Sequence, residues 1–246
     1  MKVLNLIAHL LDYPSDELVK NLPELTHWVA NEAVLDPRVR DDLLAFIAHF
    51  ESFEALDWQS EYDGLFERGR AVSLHIFEHV HGESRDRGQA MVDLMGHYRS
   101  AGLALSEREL PDYLPTYLEF CTTQGQDDNI EGAQGWLQDI SHVLALLAAR
   151  LREKDSPYSL LLDALLRLSE VEVDMAALQQ QVSGEERDDT PEALDKIWED
   201  EAVSFSSAQG SACGDSVMRP SESQRRDGQP LSWINAGADQ APQHSA

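Results

Sequence analysis

Residues 75–79 read His-Ile-Phe-Glu-His, two imidazoles and a carboxylate at a spacing that can support chemistry. On a helix, positions four apart share a face, so His75 and His79 could grip one zinc ion while Glu78 activates a water. A third ligand would have to come from elsewhere in the chain, His81 being the nearest. Three fixed positions in five recur often by chance, and the plainer reading is histidines on a helix beside acids. A zinc-dependent hydrolase using His75, Glu78 and His79 is therefore the alternative function. The leading expectation is a chain that is no enzyme and holds no metal.

Two further segments concentrate charge and rigid turns. Glu67-Arg68-Gly69-Arg70 and Glu83-Ser84-Arg85-Asp86-Arg87-Gly88-Gln89 alternate sign, which suits either ion pairs tying loops to helix ends or a docking surface. No GxxxxGK[ST] or GxGxxG follows a strand, so no nucleotide cradle is indicated. Glu109-Leu110-Pro111-Asp112-Tyr113-Leu114-Pro115 places two prolines four apart, a rigid turn into a helix with Asp112 near its favourable N-terminal end. It reads either as a capped helix start or as an acidic, aromatic corner for a basic, amphipathic peptide. No Ser/His/Asp order or thiol pair appears; Cys121 and Cys213 are far apart and read as reduced.

The elements that must position these residues are helical. Val3, Leu6, Ile7, Leu10 and Leu11 share one face of a first helix that stops before Tyr13-Pro14. Asp36-Pro37 caps a helix burying Val39, Leu43, Phe46, Ile47 and Phe50, and Trp58, Tyr62, Leu65 and Phe66 mark the next. Ser84 opens a helix that buries Met91, Leu94, Met95 and Tyr98 and ends at Gly102. Residues 130–154 read as the longest helix, carrying Trp136, Ile140, Leu144, Leu147 and Leu151 inward. Ser156-Pro157 starts another with Leu161, Leu165 and Leu168, and Thr190-Pro191 precedes Leu194, Ile197 and Trp198. Val171-Glu172-Val173 is too short for a strand. The fold class is all-α: a single helical-bundle domain over residues 1–204.

Residues 205–246 are rich in Ser, Gly, Gln, Pro and Ala. Such a tail buries too little to offset backbone ordering at roughly 1–2 kcal/mol per residue, so it is expected to lack fixed structure. The 246 residues carry 45 acidic against 19 Lys and Arg side chains, net −26. The tail holds three basic and four acidic residues, so the excess lies on the domain. Such a surface disfavours nucleic acid and anionic lipid and attracts a cationic segment. No run nears the roughly 20 apolar residues of a spanning helix, and Asn5, His9 and Asp12 interrupt the apolar start, so a cytoplasmic location is expected.

Residues 61–66, Glu-Tyr-Asp-Gly-Leu-Phe, resemble the Y-x-x-L-F signature of chaperones for molybdenum enzymes of the dimethyl-sulfoxide-reductase type, the redox enzyme maturation proteins that include TorD and DmsD. Glu109, Asp112 and Tyr113 resemble that family's E-x-P-x-D-H element, with the proline shifted and Tyr in the last place. Phe66–Arg70, Phe77–Met91, Arg108–Asp112, Glu186–Thr190 and Ala193–Asp195 resemble its delta-chain branch, the NarJ type dedicated to respiratory nitrate reductase. The likeness runs from residue 1 to about 205, leaving out 124–135; His75 departs from an apolar residue expected there.

The resemblance implies an all-helical cytoplasmic chaperone that binds the apo catalytic (alpha) subunit, including a twin-arginine-like remnant at its N-terminus. The client, expected as the alpha–beta complex, is held ready for insertion of the molybdopterin guanine dinucleotide cofactor before membrane attachment. The chaperone itself binds no cofactor stably. Tyr62, Leu65, Phe66, Glu109, Asp112 and Tyr113 are the expected peptide-binding residues. Arg68, Arg70, Glu78, His79, Arg85, Asp86 and Arg87 form a motif segment for docking or structure. On this reading, replacing Asp112 by Ala weakens client binding with little loss of helicity.

Overall fold

Short polar side chains and prolines set several of the helix starts. Ser15 Oγ accepts the Leu18 N–H at 3.1 Å, and Asp36 Oδ1 accepts that of Arg38 at 2.8 Å with Pro37 at the first helical position, where no donor is needed. The computed structural model describes residues 2–82, 84–106, 109–124, 130–190, 192, 193 and 195. Among them, eleven α-helices follow in order: α1 (Lys2–Leu11), α2 (Asp16–Asn31), α3 (Pro37–Phe50), α4 (Ala55–Phe66), α5 (Ile76–His81), α6 (Arg85–Ser100), α7 (Leu114–Thr123), α8 (Glu131–Asp139), α9 (Ser141–Glu153), α10 (Tyr158–Ser169) and α11 (Met175–Val182). The described residues contain no strand, only an antiparallel bridge between His75 and Tyr113. The fold is all-α, as the periodicity indicates.

Helix α10 is the hub, packing against α9, α3, α8 and α1. It is apolar on nearly every side, with Tyr158, Leu161, Leu162, Ala164, Leu165 and Leu166 all buried, as a helix enclosed by others must be. Around it, α1 lies on α7, α2 on α3, α11 on α9, and α5 on α6 and α9. Where α3, α4 and α10 meet, Phe50 stacks on Trp58 at 4.3 Å, and Phe46 and Phe66 meet Tyr158 at 5.1 and 4.9 Å. Trp58 Nε1 donates to Tyr158 Oη at 2.8 Å, which satisfies the two polar atoms of an otherwise apolar cluster.

The expected long helix over 130–154 is two. Ile140, with φ −101° and ψ 4°, leaves the helical region and separates α8 from α9. A single rod of that length would span about 36 Å, longer than a small domain is wide; the break lets α8 turn onto α7 and α10. Helices α2 and α11 contribute less to the core: α2 buries fully only Leu22 and Val29, with Leu18, Val19, Leu25 and Trp28 partly buried, and α11 buries fully only Val182. Met91 and Met95 are half-buried, while Leu94 and Tyr98 face the core.

The unit that holds these helices runs Met1–Ile197. Thr190 Oγ1 accepts the Ala193 N–H at 3.2 Å, the cap expected before Pro191. Leu194, Ile197 and Trp198, the domain limit at 204, and the 205–246 tail with Cys213 lie outside the described residues.

Tyr158→Phe removes the acceptor of the buried Trp58 N–H, and an unsatisfied buried donor costs about 1–3 kcal/mol. Urea denaturation should show that loss with an unchanged slope.

Candidate partner-binding site

The residues expected to bind a partner divide between the interior and the surface. Tyr62 and Phe66 on α4 are buried, and Phe66 abuts Tyr158. The Tyr62 hydroxyl lies 3.1 Å from both the Leu11 carbonyl and the Tyr113 hydroxyl, and with one proton it donates to one at a time. Tyr113 is half-buried and donates to Asp12 Oδ1 at 3.0 Å. Burial is the largest cause, and nearby carboxylates a further one, raising both phenols above their ordinary range. Glu109 is exposed, and Leu65 is half-buried on a different flank of α4.

Asp112 is not where the sequence reading put it. It is 0% exposed, and its carboxylate faces inward. Oδ2 accepts from Arg87 Nη2 at 3.0 Å and Nε at 3.3 Å, and Oδ1 lies 3.3 Å from His75 Nδ1. Arg87 also donates to Glu78 at 3.0 Å. The backbone is stitched at the same place: Ile76 N–H donates to Asp112 O, and Leu114 N–H to Leu74 O, at 2.9 and 2.8 Å. A partner's cation cannot reach this carboxylate without displacing Arg87. Burial alone would raise the Asp112 pKa; the His75 hydrogen bond and the Arg87 charge outweigh it and hold the carboxyl below the usual range.

The zinc-hydrolase pattern fails geometrically. His75 precedes α5 with extended backbone, φ −83° and ψ 97°, so the shared helical face never forms. Its ring turns to Asp112, whereas His79 Nε2 contacts the Ser73 carbonyl at 2.8 Å and Nδ1 lies 3.4 Å from Arg150 Nη1. Glu78 pairs with Arg87. Among the described residues, no three His, Cys, Asp or Glu side chains are placed to hold a metal ion. Burial, with the Arg150 charge, lowers the His79 pKa against the pull of the Ser73 carbonyl.

The other motif residues form a second tie. Asp188 Oδ2 accepts the backbone N–H groups of Arg70 and Ala71 at 2.5 and 2.7 Å, reaching across more than a hundred residues. Gly69 has φ +88°, and a Cβ there would sit 2.8 Å from the Asp188 carboxylate, so the turn requires glycine. Arg150 holds Glu185 with two hydrogen bonds, at 2.8 and 3.0 Å, and donates to Ala71 O. Asp189 takes Lys154 at 2.6 Å and Arg187 at 2.9 Å. Arg68, Arg85 and Asp86 are exposed.

The segment after α11 thus folds back to wall a cleft of about 780 Å³ with α4 and the end of α9. Leu65 and Ala71 lie on it, with seven carboxylates and three cations around them. The three cations, Arg150, Lys154 and Arg187, already hold Glu185 and Asp189. Glu61, Glu153, Asp155 and Glu186 face the cleft with no Lys or Arg partner among the described residues. The sequence reading missed this cleft, whose one signal there was the Glu186–Thr190 match.

A helical domain that ties Arg87, Arg150, Arg152 and Arg167 to its own carboxylates and leaves an acidic cleft open has the character of a binding protein. The chain belongs to the nitrate reductase delta subunit family, which matches over residues 32–162. It is 44% identical over 215 residues to the nitrate reductase molybdenum cofactor assembly chaperone NarJ of Escherichia coli K12, covering 87% of this chain and 89% of that protein. It is 43% identical over 220 residues to that organism's probable nitrate reductase molybdenum cofactor assembly chaperone NarW, covering 89% and 90%. A probable NarJ of Bacillus subtilis 168 is 32% identical over 161 residues, covering 65% and 84%. The family is one of assembly chaperones.

Three outcomes follow. Asp112→Ala removes two of the three hydrogen bonds of the Arg87 guanidinium, leaving it Glu78, and should cost about 3 kcal/mol, a stability loss rather than a pure binding defect. The pH dependence should show two windows. The folded His79 pKa lies below the unfolded value of about 6.5, so its share of stability falls as pH drops below that; His79→Gln should flatten this limb. The folded Asp112 pKa is depressed, so its share is full above about 4 and is lost as pH falls through the folded value. Gly69→Ala should destabilise by about 1–2 kcal/mol and speed proteolysis of the 184–190 segment, measured by limited trypsin digestion.

Proposed function

We propose that this chain binds the apo catalytic (alpha) subunit of respiratory nitrate reductase and holds it for cofactor insertion. The segment recognised is the client's N-terminus, a twin-arginine-like remnant that folds as an amphipathic helix. The client is met as the alpha–beta complex, in the cytoplasm and before membrane attachment. The cofactor inserted is molybdopterin guanine dinucleotide, and the chaperone does not retain it. The NarJ and NarW relatives, chaperones of nitrate reductase molybdenum cofactor assembly, support the assembly role, and no helix among the described residues is long and apolar enough to cross a membrane.

One observation carries the binding part of this reading. The acidic cleft beside Leu65 presents four carboxylates with no Lys or Arg partner among the described residues, in a chain of net charge −26. A basic segment entering there gains charge pairing at the rim and buries apolar surface against Leu65 and Ala71. Of the residues expected to bind the client, Leu65 lies on this cleft; Tyr62, Phe66 and Asp112 are buried, and Glu109 and Tyr113 are accessible away from it.

Isothermal calorimetry with a synthetic peptide of the alpha-subunit N-terminus tests the proposal. Saturable binding is expected, weakening as salt rises and weakening about tenfold in Glu153→Gln/Glu186→Gln, a loss of about 1.4 kcal/mol. No heat across a range of salt and pH would remove the client assignment.

A further inference from the structure

The end of α1 builds a small surface that the acidic cleft does not include. Asp12 and Tyr13 are exposed between Leu11 and the buried Pro14. Asp12 Oδ1 is fixed by two donors, the Tyr13 N–H at 2.8 Å and the Tyr113 hydroxyl at 3.0 Å. Its Oδ2 takes no hydrogen bond among the described residues. Tyr13 leaves 48% of its surface open, and its ring meets Tyr62 edge to face at 5.5 Å. Glu67, the exposed residue capping α4, has no hydrogen-bond partner for its side chain among the described residues. The negative charges of Asp12 and Glu67 both raise the Tyr62 and Tyr113 phenol pKa values, so the two carboxylates act on the same pair of rings.

An open aromatic ring beside an oriented carboxylate is the arrangement that a planar cation satisfies best. A guanidinium stacks flat on a tyrosine while its N–H fork meets carboxylate oxygens; an ammonium is a compact, strongly hydrated charge that does neither as well. The corner is also rigid. Tyr62 is buried, Tyr113 is bridged through the backbone to His75, and Asp12 Oδ1 cannot turn away without breaking two bonds. No Lys or Arg of this chain forms an ion pair with Asp12 or Glu67 among the described residues.

We propose that Asp12 and Tyr13, backed by Tyr62 and Tyr113, form a receptor for a single arginine side chain of the bound client, selecting arginine over lysine. This rests on the client reading above and adds to it a specificity-determining contact outside the cleft.

The test has two arms on the full chain. In the first, protein labelled with 13C-tyrosine is titrated with N-acetyl-arginine amide and N-acetyl-lysine amide at constant ionic strength. Tyr13→Leu and Tyr113→Phe assign the ring signals. The arginine probe should shift the Tyr13 and Tyr113 signals saturably and the lysine probe several-fold less. Asp12→Asn, which keeps an oxygen for both internal donors, should abolish the shift. Equal response to both probes, or none, overturns the receptor.

In the second arm, calorimetry uses the alpha-subunit N-terminal peptide and versions with each arginine changed to lysine. One arginine-to-lysine change should weaken binding about tenfold to the wild type and hardly at all to Tyr13→Leu. If the wild type binds the peptide and both Tyr13→Leu and Asp12→Asn bind it equally well, the receptor is refuted and the client reading stands. If no peptide binds while the arginine probe still shifts Tyr13, the client reading fails and the receptor stands.

Discussion

A carboxylate with no access to water must have its charge balanced inside the protein, and Asp112 sets that demand here. Taking an ion out of water costs several kcal/mol even after relaxation, so the site holds only if Arg87 and His75 arrive in fixed positions. Arg87 stands in the first turn of α6, His75 just before α5, and Asp112 just before α7. One buried charge therefore registers three helix starts against one another. The backbone bonds between 74–76 and 112–114 follow from that registration, and they hold Tyr113 where its hydroxyl meets Tyr62 and Asp12. The corner that looks like a docking element in sequence is first a structural joint, and its outward face is shaped by what is locked behind it.

The same logic runs through the strap after α11. Asp188 bonds two consecutive backbone N–H groups in a turn that only Gly69 allows, and Glu185 and Asp189 engage cations from the last turn of α9 and its C-cap. These pairs and that of Arg87 with Asp112 are all internal to the chain, and they leave its excess of 26 negative charges uncompensated.

Most helix starts were legible because their causes are local. Asp36 and Thr190 act through side chains within four residues, Ser84 holds the N-cap position of α6 through its backbone alone, and Gly102 takes the positive φ, +79°, that follows α6. What was not legible depended on distant partners. Nothing near Ile140 announces a break; it is the need to cover both α7 and α10 that divides the run. Helix α2 went unread although Leu18, Leu22, Leu25 and Val29 recur at helical spacing, since Pro23 interrupts that pattern in its middle. The His75–His79 spacing looked like a metal pair only on the assumption of one continuous helix, and α5 begins one residue too late for it. For Asp112, position near a helix start could be read, but burial could not: an acid between prolines looks the same whether an arginine from another helix covers it or water does. The resemblance to the delta-chain branch found the residues that matter without revealing that Gly69 and Asp188, or Arg87 and Asp112, touch.

These ties bear on how a binding surface of this kind can release what it holds. Exposed carboxylates raise the rate of encounter with a basic segment and, being screened by salt, add little to residence time. Residence time comes from desolvated contacts, and here the apolar part of the cleft is confined to Leu65, Ala71 and their neighbours, because the large aromatic side chains of α4 are committed to the core around Tyr158. A wider apolar groove would hold a client longer at the cost of exposing surface prone to self-association. On the proposed client reading, committing Phe66 and Tyr62 inward while leaving acids outward favours a partner that arrives quickly, is positioned by charge and a few specific side chains, and is held only briefly.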